Sequence, residues 1–260
     1  MHREYTLTFI VTDEERNRLI APALTRLSRI FRSQFSLINL TQGKAYLLEK
    51  SLTIYQIAMR NGDCCQLVVQ GIDAELACFT VKELFQIGYS VIKASHNQPI
   101  PPQIARLHPD LQINCDYRLH FRRAHTTLSK FETLHTLAEL ICPKHRDDLL
   151  LALIKREECS STAVAAGLAL PHVMFEGVDR LSIAMLGMNN DKGIDWQSNL
   201  GDISTAIAVI LPASPHRTEL IAATNLTRNL LHKRYAHRLA YTYDPVDKQA
   251  LLIYGLSKLI

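Results

Sequence analysis

Residues alternate from Tyr5 to Val11, with Tyr5, Leu7, Phe9 and Val11 on one face and Thr6, Thr8 and Ile10 on the other. This pattern predicts a half-buried strand. The period then becomes helical. Leu19, Ala23, Leu24, Leu27, Ile30 and Phe31 recur at helix spacing, and Pro22 fits only inside a first turn. Phe35–Leu40 and Ala45–Leu48 flank Thr41-Gln42-Gly43-Lys44, a hairpin signal, and Ser51 is placed to cap a short helix through Ile54, Ile57 and Ala58. Asn61-Gly62-Asp63 predicts a turn and Cys65, Leu67 and Val69 a strand. After the turn at Gly71-Ile72-Asp73, Asp73 is placed to cap a helix carrying Ala77, Val81, Leu84 and Phe85. The predicted order is βαββαβα.

Between His96 and Pro109 three prolines, Pro99, Pro101 and Pro102, fall within four positions. Such a stretch is extended and marks a linker. Beyond it, Leu111–Phe121 reads as a strand whose Arg118, His120 and Arg122 form a basic face, by default a solvated one and alternatively a site for a phosphate or an acidic partner. Two helical stripes follow, Phe131, Leu134, Leu137, Ala138 and Ile141, then Leu149, Leu150, Leu153 and Ile154. In the small-residue run Ser160–His172, Gly167–Leu170 predicts a short buried strand. Pro171 cannot donate to a ladder and is expected to end the pairing, which leaves His172 at the strand's exit. Leu181–Leu186 and Ala206–Leu211 predict further strands, with a turn at Asp191-Lys192-Gly193. A helix begins near Thr218 and uses Leu220, Ala223, Leu226 and Leu230.

Composition narrows the function classes. At 260 residues, 47% hydrophobic and 21% charged, the chain has room for two soluble domains. No apolar run approaches the roughly 20 residues needed to span a bilayer, and Met1–Tyr5 lacks a signal-peptide layout, so a cytoplasmic protein is expected. The six cysteines include no C-x-x-C pair, so they read as reduced thiols, with no metal and no cofactor expected. A net charge of +4 with scattered Lys and Arg points away from nucleic acid. His172 is the candidate nucleophile, because an imidazole can be neutral and nucleophilic near neutral pH.

Residues 1 to about 90 resemble the histidine-containing phosphocarrier protein of the bacterial phosphotransferase system, HPr. The matching features are Ala21-Pro22-Ala23, Gly43-Lys44, Lys50-Ser51-Leu52 and Gly71-Ile72-Asp73-Ala74. The resemblance implies an open-faced β-sandwich. The family's phosphorylated histidine is here Leu19 and the arginine before the proline is Ala21, so this domain is not expected to relay phosphate. Ser51 falls where many phosphocarriers carry a regulatory phosphorylation site, and it also reads as an ordinary helix cap.

Residues 110 to 260 resemble the enzyme IIA component of the fructose, mannitol and nitrogen-regulatory branch of the same system. The match lies in Leu153-Ile154-Lys155-Arg156-Glu157, Ser161-Thr162, Gly167–His172, Gly193-Ile194-Asp195-Trp196 and Val209-Ile210-Leu211-Pro212. The resemblance implies an α/β (α+β) chain: a phosphocarrier-like domain over 1–92, a linker over 93–110, and over 111–260 an enzyme IIA domain with a mixed sheet flanked by helices. It also implies that His172 takes a phosphoryl group from a phosphocarrier and passes it to an enzyme IIB partner, with Arg156 steadying the group. Candidate assisting residues are Ser161, Thr162, His216 and Glu219, the last standing where the family usually has a second histidine. The alternative reading is a catalytically degenerate regulatory module that acts by binding a target protein.

Overall fold

A computed structural model describes residues 4–48, 59–85, 89–92, 111–124, 126–188, 193–242 and 244–257. Ser51 with its expected helix, the proline-rich stretch and the Asp191-Lys192 part of the expected turn lie outside the described residues. Contacts divide the chain into two units, Met1–Leu111 with Thr242–Tyr254, and Gln112–Tyr241 with Gly255–Leu259. The segment Thr242–Tyr254, expected from sequence to belong with everything after 111, thus groups with the first unit.

In the first unit the alternating segments form β1 (Glu4–Val11), β2 (Gln34–Asn39), β3 (Lys44–Leu47), β4 (Cys64–Gln70) and β5 (Tyr89–Val91), with helices α1 (Asn17–Ile30) and α2 (Ala74–Phe85). The sheet is antiparallel, in the order β3-β2-β4-β1-β5. Leu7, Phe9, Phe35, Leu67 and Val69 pack against Leu24 of α1 and Ala77, Val81 and Phe85 of α2. The Phe9 ring lies 4.6 Å from that of Phe85 and 4.9 Å from that of Tyr89, a contact geometry favourable for aromatic rings.

Helix α1 departs from its expected phase. Ile20 and Leu24 turn inward, whereas Leu19, one residue and about 100° round the helix, is 75% exposed. Pro22 lies in the second turn, not the first. It is exposed, so the carbonyl that loses its hydrogen-bond donor faces the side where water can replace it. Asp73 is not used as a side-chain cap of α2. Its carboxylate accepts from Arg32 N–H (2.8 Å) and from the Ser33 hydroxyl, tying the end of α1 to the turn before α2. These bonds, Ser33's first, hold its pKa below the usual carboxylate value.

The second unit contains β6 (Tyr117–Ala124), α3 (Lys130–Ile141), a 3-10 turn (Pro143–His145) and α4 (Arg146–Cys159). Five strands follow: β7 (Ala163–Ala165), β8 (Gly167–Ala169), β9 (His172–Phe175), β10 (Leu181–Met188) and β11 (Ile203–Pro212). Then come α5 (Arg217–Asn229) and α6 (Lys233–Tyr241). The sheet is mixed, in the order β6-β10-β11-β8-β7, with β9 also paired to β11. Strands β6/β10, β8/β11 and β9/β11 run parallel, and β10/β11 and β7/β8 antiparallel. Leu134, Leu137, Leu149 and Leu153 of α3 and α4 pack on Ala184, Leu186, Ala206 and Ile210. A capping box starts α3: Ser129 Oγ accepts from Glu132 N–H at 3.2 Å, and the Glu132 carboxylate accepts from Ser129 N–H at 2.7 Å.

Two expectations are corrected here. The strand predicted from Leu111 begins only at Tyr117; Arg118 and Arg122 on it are solvent-exposed as expected, and they also pair with Asp179 (3.3 Å) and Glu139 (3.5 Å). Pro171 interrupts the ladder without ending it. Its carbonyl still accepts from Val209 N–H at 2.9 Å, and β9 resumes pairing along β11 with His172 opposite Val209. His172 therefore opens a strand instead of closing one.

The last helix, α7 (Pro245–Ser257), supplies Asp247 to the first unit. The Asp247 carboxylate accepts from the Thr6 hydroxyl and from Thr8 N–H (3.1 Å), and Tyr254 hydrogen-bonds Thr41 at 2.6 Å. The sheet face expected to be open is consequently covered at these positions, and Thr8 and Gln66 are fully buried. Strand β1 is half-buried only at its first residues, because both of its later faces meet helices.

Candidate functional site

The sequence ending α4 and the break at Pro171 bring Arg156 and His172 together. His172 is exposed on the first position of β9, and both ring nitrogens have defined neighbours. Nδ1 lies 2.8 Å from the Leu170 carbonyl oxygen, and Nε2 lies 3.3 Å from Arg156 Nη2. A carbonyl can only accept and a guanidinium can only donate, so in the neutral ring the proton sits on Nδ1 and the lone pair on Nε2. In the neutral ring the arrangement thus presents an oriented, solvent-facing nitrogen lone pair next to a guanidinium. The same arginine donates through Nη1 to the Ser160 carbonyl and hydroxyl oxygens, both at 3.0 Å, which holds the guanidinium over the end of α4.

Beside Arg156, Glu157 points inward, its side chain 7% exposed. Oε2 accepts from Thr162 N–H (3.0 Å) and from the Thr162 hydroxyl, and Oε1 pairs with Lys130 Nζ at 2.7 Å. Burial raises the Glu157 pKa, but the bonds from Lys130 and Thr162 outweigh it and the net shift is downward. Lys130 also donates to the Trp196 carbonyl at 3.0 Å and lies 5.5 Å from the centre of its indole ring. Lys130 and Glu157 line a groove of about 1080 Å³ together with the apolar Leu128, Phe131 and Ile154 and the acidic Asp202.

The other expected site residues are placed differently. Thr162 is buried, and its hydroxyl is spent on Glu157. Ser161 is exposed and accepts from Ala163 N–H at 3.3 Å. Glu219 is 3% exposed in the first turn of α5, where its oxygens accept from His216 N–H (2.8 Å) and Leu181 N–H (2.9 Å). With the His172 nitrogens facing Leu170 and Arg156, Glu219 does not orient that ring. His216 occupies the N-cap position of α5 and is exposed. Sequence reasoning singled out neither Lys130 nor Ser160, and Glu157 entered only as part of a motif. No spacing signal links Lys130 to Glu157, 27 positions apart.

The cysteines are all free, and four of the six are buried. No group of three or more His, Cys, Asp or Glu able to hold a metal occurs among the described residues. None of their helices is long and apolar enough to cross a membrane.

A mixed α/β domain with one oriented surface histidine defines the second unit, and its sequence identifies the class. The family model for the phosphoenolpyruvate-dependent sugar phosphotransferase system, EIIA 2, matches residues 120–252. The chain belongs to this family. A multiphosphoryl transfer protein of Shigella flexneri is 29% identical over 98 residues, which are 38% of this chain and 11% of the relative. The chain therefore spans about a tenth of that relative's length. The PTS system fructose-like EIIA component of Escherichia coli K12 is 26% identical over 131 residues, 50% of this chain and 86% of the relative. Among solved structures, the nitrogen regulatory protein IIA-Ntr from Neisseria meningitidis is 18% identical, with a TM-score of 0.44 over 52% of this chain and 92% of that one.

Proposed function

We propose that this protein carries a phosphoryl group on His172 Nε2, accepting it from a separate phosphocarrier protein and passing it to an enzyme IIB or signalling by it. The observation that carries this reading is the pair of contacts on the exposed His172 ring, Nδ1 at the Leu170 carbonyl and Nε2 beside the Arg156 guanidinium, which in the neutral ring put the lone pair on Nε2. In the transfer the Nε2 lone pair attacks phosphorus while the P–N bond to the donor imidazole breaks and its electron pair returns to the donor ring. Nδ1–H stays on the Leu170 carbonyl and spreads the positive charge gained by the ring. Arg156 moves from Nε2 to the equatorial oxygens, where a forked cation meets the developing charge. The first unit is proposed to be a phosphocarrier-like module lacking its acceptor. In support, β1 to β4 pair in the order β3-β2-β4-β1 with two helices on one face, and the acceptor position holds the exposed Leu19. Phosphoenolpyruvate, enzyme I and a phosphocarrier are expected to label the wild-type chain and not His172→Ala. A wild-type chain that stays unlabelled refutes the proposal.

A second reading, a regulatory module that binds a target without transferring phosphate, draws on Glu219, whose carboxylate is committed to backbone N–H groups where the resemblance implies a second histidine. Partner capture unchanged by His172→Ala, together with an unlabelled wild type, favours it.

A further inference from the structure

We propose that Glu157, with Lys130 as its counter-ion, is the positioning residue that aims both nitrogens of His172. The inference rests on the reading of His172 as the acceptor, and it concerns how the ring and its arginine are held. Two chains of contact run from Glu157 to the imidazole. Along the first, Glu157 Oε2 takes the N–H and hydroxyl of Thr162, the Thr162 carbonyl accepts from Leu170 N–H at 2.8 Å, and the Leu170 carbonyl faces His172 Nδ1 at 2.8 Å. Thus the carbonyl that selects the tautomer belongs to a residue tied directly to Thr162.

Along the second, Glu157 and Arg156 are neighbours at the end of α4 and grip the same short exit segment. Arg156 holds Ser160 and Glu157 holds Thr162, which folds residues 160–162 back over the last helical turn. Because Arg156 Nη1 is anchored on Ser160, its Nη2 is left at 3.3 Å from His172 Nε2. If the exit segment is released, the guanidinium loses its anchor and the Leu170 carbonyl loses its tether together. Lys130, fixed by the Trp196 carbonyl, supplies the charge that keeps a largely buried carboxylate ionised and immobile.

Glu157 touches neither the imidazole nor an incoming phosphoryl group, so its effect must pass through Arg156 and Leu170. This gives a discriminating test by double-mutant cycle. The donor is phosphoramidate, a small P–N compound. Its P–N bond breaks to release ammonia as the P–Nε2 bond forms, so no partner protein enters the measurement. Glu157→Gln is expected to slow labelling of the otherwise wild-type chain by about fivefold or more, since misplacing a reacting pair by a fraction of an ångström has effects of this size. In an Arg156→Ala background the same substitution is expected to cost clearly less than it does in the otherwise wild-type chain, because the arginine it aims is gone and only the route through the Leu170 carbonyl remains. The ¹⁵N resonance of His172 Nε2 supplies a readout independent of phosphate: Glu157→Gln is expected to move it in the direction that Arg156→Ala does. Equal losses in both backgrounds, or an unchanged rate with an unmoved resonance, overturn the proposal. A wild-type chain that phosphoramidate does not label refutes the acceptor reading, and the resonance alone then decides the positioning role. Emission of the single tryptophan, Trp196, reports whether each variant is folded. If Glu157→Gln is not, Thr162→Val, which removes one of the two bonds to the carboxylate, takes its place with the same expected pattern.

Discussion

Replacing Asp247 by asparagine tests how the sheet of the first unit came to be covered. The carboxylate is fully buried against β1, accepting from the Thr6 hydroxyl and Thr8 N–H. Burial, reinforced by the nearby charge of Asp244, pushes its pKa from 3.8 up to about 6. A carboxyl whose folded pKa exceeds its unfolded one holds its proton longer in the folded state. Stability is therefore lost as pH rises through the window from about 4 to about 6 and stays lower above it. At about 1.36 kcal/mol per pKa unit, the rise from 3.8 to about 6 makes the ionised group cost about 3 kcal/mol at pH 8 relative to a neutral one. Asparagine keeps an acceptor oxygen for Thr6 and Thr8 and removes the charge. Asp247→Asn should accordingly leave the first unit unchanged at pH 4 and raise its midpoint by about 10 °C at pH 8. Differential scanning calorimetry measures both. Trp196 lies in the second unit, so the transition unaccompanied by a change in tryptophan emission belongs to the first. Equal shifts at pH 4 and pH 8, or a midpoint lowered at pH 8, would refute the reasoning.

Gly167 has φ +77, and a Cβ there would lie 2.5 Å from the Tyr241 ring, so Gly167→Ala should destabilise the second unit by about 2 kcal/mol, read by urea unfolding followed at Trp196. Leu19→Ser, at an exposed helix position, should change stability by less than about 0.5 kcal/mol, whereas Leu24→Ala should cost about 3 kcal/mol. Arg156→Lys keeps the charge but loses the fork that spans Ser160 and His172, and it should slow phosphoenolpyruvate-dependent labelling about tenfold. A thiol reagent at pH 8 should modify the exposed Cys159 quickly. Cys115, half-buried and with its thiol pushed up to about 11 chiefly by burial, should react slowly, and Cys78, pushed up to about 12, should wait for unfolding.

Much of the architecture was legible because short-range periodicity follows burial. The strands of the first unit, the stripes of α3 and α4, and the apolar runs of β10 and β11 all emerged from spacing. What misled was every position whose second face is covered by distant chain. Thr8 read as belonging to the outer face of a half-buried strand because its own segment alternates, yet it is fully buried and its N–H donates to Asp247 of α7, 239 positions later. Leu19 read as core because several helical registers share the same apolar set, and the tertiary contact chose the one through Ile20 and Leu24. Pro171 read as a stop because it lacks a donor, yet its carbonyl was enough to keep β11 alongside.

For the site, the sequence by itself pointed to the family and to His172 and Arg156 as candidates, because both lie in short motifs whose chemistry is carried by residue identity. The tertiary structure alone decided which partners each group meets. It placed Nδ1 on the Leu170 carbonyl and Nε2 against Arg156, spent Glu219 on two backbone amides, and joined Glu157 to Lys130 on one side and Thr162 on the other. The reason is geometric: a side chain's partner is set by which strand or helix end folds to within about 3 Å of it, and that distance is not encoded in spacing along the chain.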